Sequence, residues 1–199
     1  GPPGSNETIG VRRILSISFW LLVLTNEAVA QPGQTKVGDA LDSADAITWC
    51  QVKRSDFRGE RPPGAFGTGP VRPVAVTCAY VVASPQARIF PVPVPGAQPE
   101  VAYRARVERL SFHSLLSRSC SWWNPDTGIS PAYVLQHEQI HFDIFEIAAR
   151  RLNRDVPGLL EVMDMRGPTM QSVVNGAQRY VQAALSRSLD TTAKRNRRF

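Results

Sequence analysis

Between residues 101 and 108 the chain alternates, with Val101, Tyr103, Ala105 and Val107 set against Ala102, Arg104, Arg106 and Glu108. A period of two is that of a strand buried on one face. Val74 to Val82 is an apolar, β-branched run that also reads as strand. Nine of the 16 prolines fall between Pro62 and Pro99. Arg61-Pro62-Pro63-Gly64 and Pro91-Val92-Pro93-Val94-Pro95-Gly96 therefore read as loops or edge segments, because proline has no N–H to give to a ladder. After the turn-forming cluster Asn124-Pro125-Asp126-Thr127-Gly128 the period becomes helical. Ser130-Pro131 fits an N-cap and first turn, and the pattern predicts a helix to about Arg154, stopped by Asp155-Val156-Pro157-Gly158. A second amphipathic helix is expected from about Thr169 to Leu189, with Val173, Ala177, Val181 and Leu185 on one side. Strands first and helices afterwards predict an α+β fold: a small, mainly antiparallel sheet followed by two helices.

The first thirty residues follow another plan. Arg12 and Arg13 precede the apolar run Ile14 to Leu24, and Ala28-Val29-Ala30 precedes Gln31. That is a basic, then apolar, then small-residue leader, and the run falls short of the ~20 residues that span a bilayer. The expectation is a signal peptide with an upstream extension over residues 1–30, a secreted or periplasmic protein, and no membrane span in the mature chain. Residues 31–190 then form a single domain, large enough to fold without disulfide or metal staples. The net charge of +6 owes most of its excess to Lys194, Arg195, Arg197 and Arg198. Residues 191–199 thus read as a basic tail. No basic segment interleaved with aromatics precedes it, which argues against a nucleic-acid partner. In an oxidising compartment two of Cys50, Cys78 and Cys120 can pair. The spacing leaves the choice open and, lacking Cys-x-x-Cys, argues against a cysteine zinc site.

The first helix carries His137-Glu138-Gln139-Ile140-His141, the His-Glu-x-x-His pattern of zinc-dependent peptidases. Residues four apart share a helix face, so both imidazoles can reach one Zn²⁺ while Glu138 serves as general base towards the activated water. Shuffling this composition yields the pattern in only about two chains per thousand, so chance explains it poorly. At ~100° per residue the two histidines fall within an apolar arc of Val134, Ile144, Phe145, Ala148 and Leu152, opposite a polar stripe of Gln136, Gln139, Asp143, Glu146 and Arg150. Asp143 and Glu146 therefore point away from the metal, and Glu146 with Arg150 forms an i,i+4 ion pair. Glu161, beyond the expected Pro-Gly reversal, is the choice for third ligand, with Asp164 placed to orient a histidine; His113 and Asp190 are weaker candidates.

At these residues the chain resembles a bacterial family of unknown function described as secreted zinc-dependent proteases. The likeness rests on His137 through Glu146 with Ala149-Arg150-Arg151-Leu152 behind, on Ile47-Thr48-Trp49 and Asp56-Phe57-Arg58-Gly59, and on Ser121-Trp122. It implies a zincin-like, exported hydrolase acting on peptide or protein, a metallopeptidase with Zn²⁺ on His137 and His141. One segment departs. The family pattern Tyr-Asp-x-x-Thr-x-His-Gly has as its counterpart Leu189-Asp190-Thr191-Thr192-Ala193-Lys194-Arg195-Asn196, without the histidine. That keeps open a catalytically inactive envelope binding protein; a third reading is a zinc amidase using the same machinery on cell-wall peptide. Expression with the leader in a bacterium is expected to yield a chain starting at Gln31, read by intact mass; a membrane-retained product carrying Phe19 to Leu24 would contradict the leader assignment.

Overall fold

Two long helices and three small antiparallel sheets make up the computed structural model, which describes residues 41–63 and 73–196. All of these fall in one compact unit, Gln34–Phe199. The leader at residues 1–30 lies outside the described residues. Among those described, no helix is long and apolar enough to cross a membrane.

The first sheet has the order β1 (Ala46–Thr48), β6 (Phe112–Ser117), β3 (Ala79–Ala83). The second pairs β2 (Ala75–Val76) with β7 (Trp122–Trp123), and the third runs β4 (Arg88–Pro93), β5 (Tyr103–Glu108), β8 (Arg166–Gly167). The alternation read over residues 101–108 holds only from Tyr103 to Arg106 of β5, where Arg104 and Arg106 are exposed and Tyr103 and Ala105 half-buried; Val101 is exposed in a 3-10 turn ahead of the strand, and Glu108 is half-buried like Val107. Pro91 and Pro93 sit on β4, an edge strand as their missing donors require. The turn from Val94 to Ala97 closes with Gly96 at φ +69°, a left-handed position that suits glycine.

The run Val74 to Val82 is not one strand. It breaks at Thr77-Cys78 into β2 and β3, which belong to different sheets. Cys78 forms a disulfide with Cys120, leaving Cys50 free and exposed. The bridge ties this break to the stretch that enters β7. Against the same stretch lies Gly59, whose N–H donates to Ser121 O at 2.8 Å. A Cβ there would come within 3.0 Å of the carbonyl oxygens of Ser119 and Ser121, so the close approach requires glycine.

Helix α1 (Pro131–Val162) packs on β6 and β3, and α2 (Met170–Asn196) packs on α1, β4 and β5. One core cluster joins Ile47, Val52, Phe57, Leu116, Trp123, Val134 and Phe142; another joins Val81, Phe112, Ala148, Ala149, Leu152 and Leu185. At its edge Asn153 accepts from Phe112 N–H at 2.7 Å and donates to Phe112 O at 2.8 Å, taking the place of a neighbouring strand.

Both helix ends differ from the pattern. Pro157 and Gly158 lie inside α1, which continues to Val162. Proline withdraws the donor that would serve the carbonyl of Asn153. Val156, packed against the second core cluster, holds the chain helical across the break signal. Likewise α2 continues through residues 191–196, where the charge run suggested a tail, and Thr192 is buried there.

The disulfide closes a sequence separation of 42 residues, a loop for which chain entropy contributes about 4 kcal/mol. Replacing Cys78 and Cys120 together by alanine is expected to remove ~2–4 kcal/mol, measured by urea unfolding against the wild type. An unchanged midpoint would contradict the pairing.

Candidate metal centre

The orientation of α1 decides where the His-Glu-x-x-His residues point. Its most buried line is Val134, Glu138, Phe142 and Ala149, so Glu138, 3% exposed, occupies the middle of the inward face. His137 and His141 flank this line and are half-buried. The wheel drawn from the sequence put the histidines at the centre and is rotated by about one residue.

Long-range polar contacts account for the rotation. Gln139 Oε1 accepts from Val52 N–H at 2.8 Å, and its amide donates to Cys50 O at 3.2 Å and to Asp143 Oδ1 at 2.8 Å. The indole of Trp49 donates to the same Asp143 oxygen at 2.8 Å, and Arg150 stacks over the Trp49 ring. Glu146 accepts from Ser114 Oγ and from Arg150 Nε, both at 2.7 Å. The polar stripe opposite the apolar arc thus docks residues 49–52 and β6. Asp143 and Glu146 stay out of the metal group as expected, and the Glu146–Arg150 pair forms.

Glu138 is buried with a partner: Thr77 donates to its Oε2 at 2.6 Å. A carboxylate accepts through both oxygens, and Oε2 is the one committed here. His137 Nε2 and His141 Nε2 stand 3.0 Å apart, their rings nearly perpendicular at 84°. Two nitrogens each ~2.0–2.1 Å from a tetrahedral ion would be ~3.3 Å apart, so the pair already has close to the required spacing. Asn196, in the last turn of α2, accepts from His141 Nδ1–H at 2.7 Å. That bond leaves the lone pair of His141 on Nε2, where it receives the proton of His137 Nε2 and where a cation would instead be held. His137, Glu138 and His141 form a group whose donor atoms all lie within 4.8 Å of one another, and which could hold a metal ion.

Glu161 does not join it. With no reversal at Pro157-Gly158, Glu161 stands twenty residues further along the same helix, ~30 Å from His141 at 1.5 Å per residue. It is exposed there. Asp164 pairs instead with Arg166 at 2.8 Å. His113 lies on β6 with Nε2 3.3 Å from Ser111 Oγ, and burial holds its pKa below the usual imidazole value, partly offset by Glu146. Two residues of the site escaped the sequence reading. Thr77 carried no signal beyond its place beside a cysteine, and Asn196 none beyond its place at the end of the segment 189–196. Comparison with protein-family models, with curated proteins and with solved structures finds no match to this chain.

Titration with Zn²⁺ and Co²⁺ against a chromophoric chelator tests the placement. Asn196→Ala is expected to weaken binding ~10-fold or more, as loss of a histidine's outer partner does, and His141→Ala to abolish it. Glu161→Ala should leave affinity unchanged; a loss there would mean that α1 bends back on itself.

Proposed function

We propose that the chain is an exported zinc-dependent hydrolase of zincin-like design, a metallopeptidase acting on peptide or protein, as the family resemblance implies. The observation that carries the reading is the convergence of the two Nε2 atoms at 3.0 Å beside a buried glutamate. The proximity of Asn196 to His141 adds support, because it brings to the histidine pair the C-terminal segment that in the family pattern ends in His-Gly. Zinc, when bound, supplies a Lewis acid that polarises a carbonyl and makes water a nucleophile near neutral pH.

The chain's own residues do the rest. His137 and His141 would hold the ion through Nε2, and Asn196 holds the His141 ring in the tautomer this needs. Thr77 fixes the Glu138 carboxylate, which takes a proton from the attacking water and returns it to the departing nitrogen. Burial of Glu138 between Val134 and Phe142 keeps the group from swinging away.

A second reading has its own support. Among the described residues the metal group contains no donor beyond His137, Glu138 and His141. Should Glu138 serve as third ligand, no base remains, and the chain is an inactive metal-bearing envelope protein. One substitution separates the two. Glu138→Gln is expected to retain Zn²⁺ while losing at least ~10²-fold in cleavage of a peptide mixture followed by mass spectrometry. Loss of the metal in that variant would favour the binding protein, and unchanged cleavage would reject the base. Products from cell-wall peptide alone would identify an amidase.

A further inference from the structure

A groove of about 300 Å³ lies between helices α1 and α2, and one of its ends is a helical turn away from the histidine pair. Its near end holds Ile144, one turn beyond His141, and Thr192, one turn before Asn196. Its rim carries Arg151 from α1 and Arg187 and Arg195 from α2. The last two stand eight residues apart, on one face of the helix. Among the described residues none of these three guanidiniums has a carboxylate at ion-pair distance. The single acid of the groove, Asp155, is paired with Arg154 at 3.3 Å.

Three like charges facing one cleft focus a positive potential into it and repel one another until an anion enters. Guanidinium forks bind carboxylates through two parallel hydrogen bonds. Between the arginines the floor is apolar, made by Ile144, Leu152 and Leu159 with Ala148. A ligand that satisfies both alternates carboxylates with apolar groups. Nucleic acid fits less well, because no aromatic side chain lines the groove for a base to stack on. From Ile144 to Leu159 the helix advances ~22 Å, the length of six or seven residues of extended peptide.

We propose that this groove binds an acidic stretch of an extended peptide and delivers the neighbouring peptide bond to the histidine pair. The delivery rests on the hydrolase reading above; the binding does not. Arg151, Arg187 and Arg195 are specificity-determining residues that meet carboxylates of the substrate, so the preferred substrates are acidic, apolar polypeptides.

The test uses the full chain and a fluorescein-labelled octapeptide of alternating glutamate and leucine, followed by anisotropy at low salt. Its glutamine counterpart and a single-stranded oligonucleotide of equal charge serve as comparisons. Binding of the glutamate peptide is expected to exceed that of the glutamine peptide ~10-fold or more, and to fall by at least the same factor in Arg151→Gln/Arg187→Gln, since charge-assisted bonds are the strong ones. Arg187→Glu should weaken it further. All three positions are exposed, so these variants keep their fold. His137→Ala should bind the peptide as wild type does, which separates failure of the groove from failure of the metal site. Equal binding of the two peptides, indifference to the arginine substitutions, or an oligonucleotide that binds tighter and depends more on those arginines would overturn the proposal.

Discussion

A carboxylate buried on the core face of a helix has to be given a hydrogen-bond donor, or it costs several kcal/mol. Glu138 lies between Val134 and Phe142, where an apolar side chain would pack without penalty, and its donor is the hydroxyl of Thr77. Supplying that hydroxyl breaks what would otherwise be a continuous strand from Val74 to Val82. The chain turns at Thr77-Cys78, and the two halves go to separate sheets. Cys78 is bonded to Cys120, its N–H donates to Ser121 Oγ, and Ser121 N–H donates to Ser117 O. The break is therefore anchored to the end of β6, the strand on which α1 itself lies.

Rotation of α1 about its axis is held from the other side. Gln139 and Asp143 bind the backbone and indole of residues 49–52, while Glu146 binds Ser114 in β6. Turning the helix by one residue to bury both histidines would tear these bonds and leave Gln139, Asp143 and Glu146 only their partners within α1. The flanking positions of His137 and His141 follow from this. They keep access to the groove side, where Asn196 reaches His141, while Glu138 takes the centre.

Features governed by neighbours in the sequence were legible without a structure. The alternation of Tyr103 to Arg106, the edge character of the Pro91 and Pro93 segment, the α+β order and the shared face of His137 and His141 all depend on local periodicity and backbone chemistry. Features set by distant partners were not. Asp143 belongs to Trp49, 94 residues away, and Gln139 to Val52, 87 away, so a helical wheel showed both only as members of a polar stripe and gave no partner for either. Pro157 was a sound stop signal overridden by core packing of Val156. That override removed the reversal on which Glu161 depended. Thr77 and Asn196 meet the motif only through tertiary packing, across 61 and 55 residues.

The side chain of Asn153 bears on how the first sheet ends at its β6 flank. β1 covers only Leu115–Ser117 of β6, so the backbone of Phe112 would stand open on that flank as a template for an added strand. By offering an acceptor to the N–H and a donor to the carbonyl of Phe112, Asn153 saturates that backbone unit from a helix, which cannot itself be extended as a sheet. A strand from a second molecule would have to displace both bonds and pry α1 from the core before it gained any. The backbone of Phe112 is thereby denied to an added strand without a charged gatekeeper on β6.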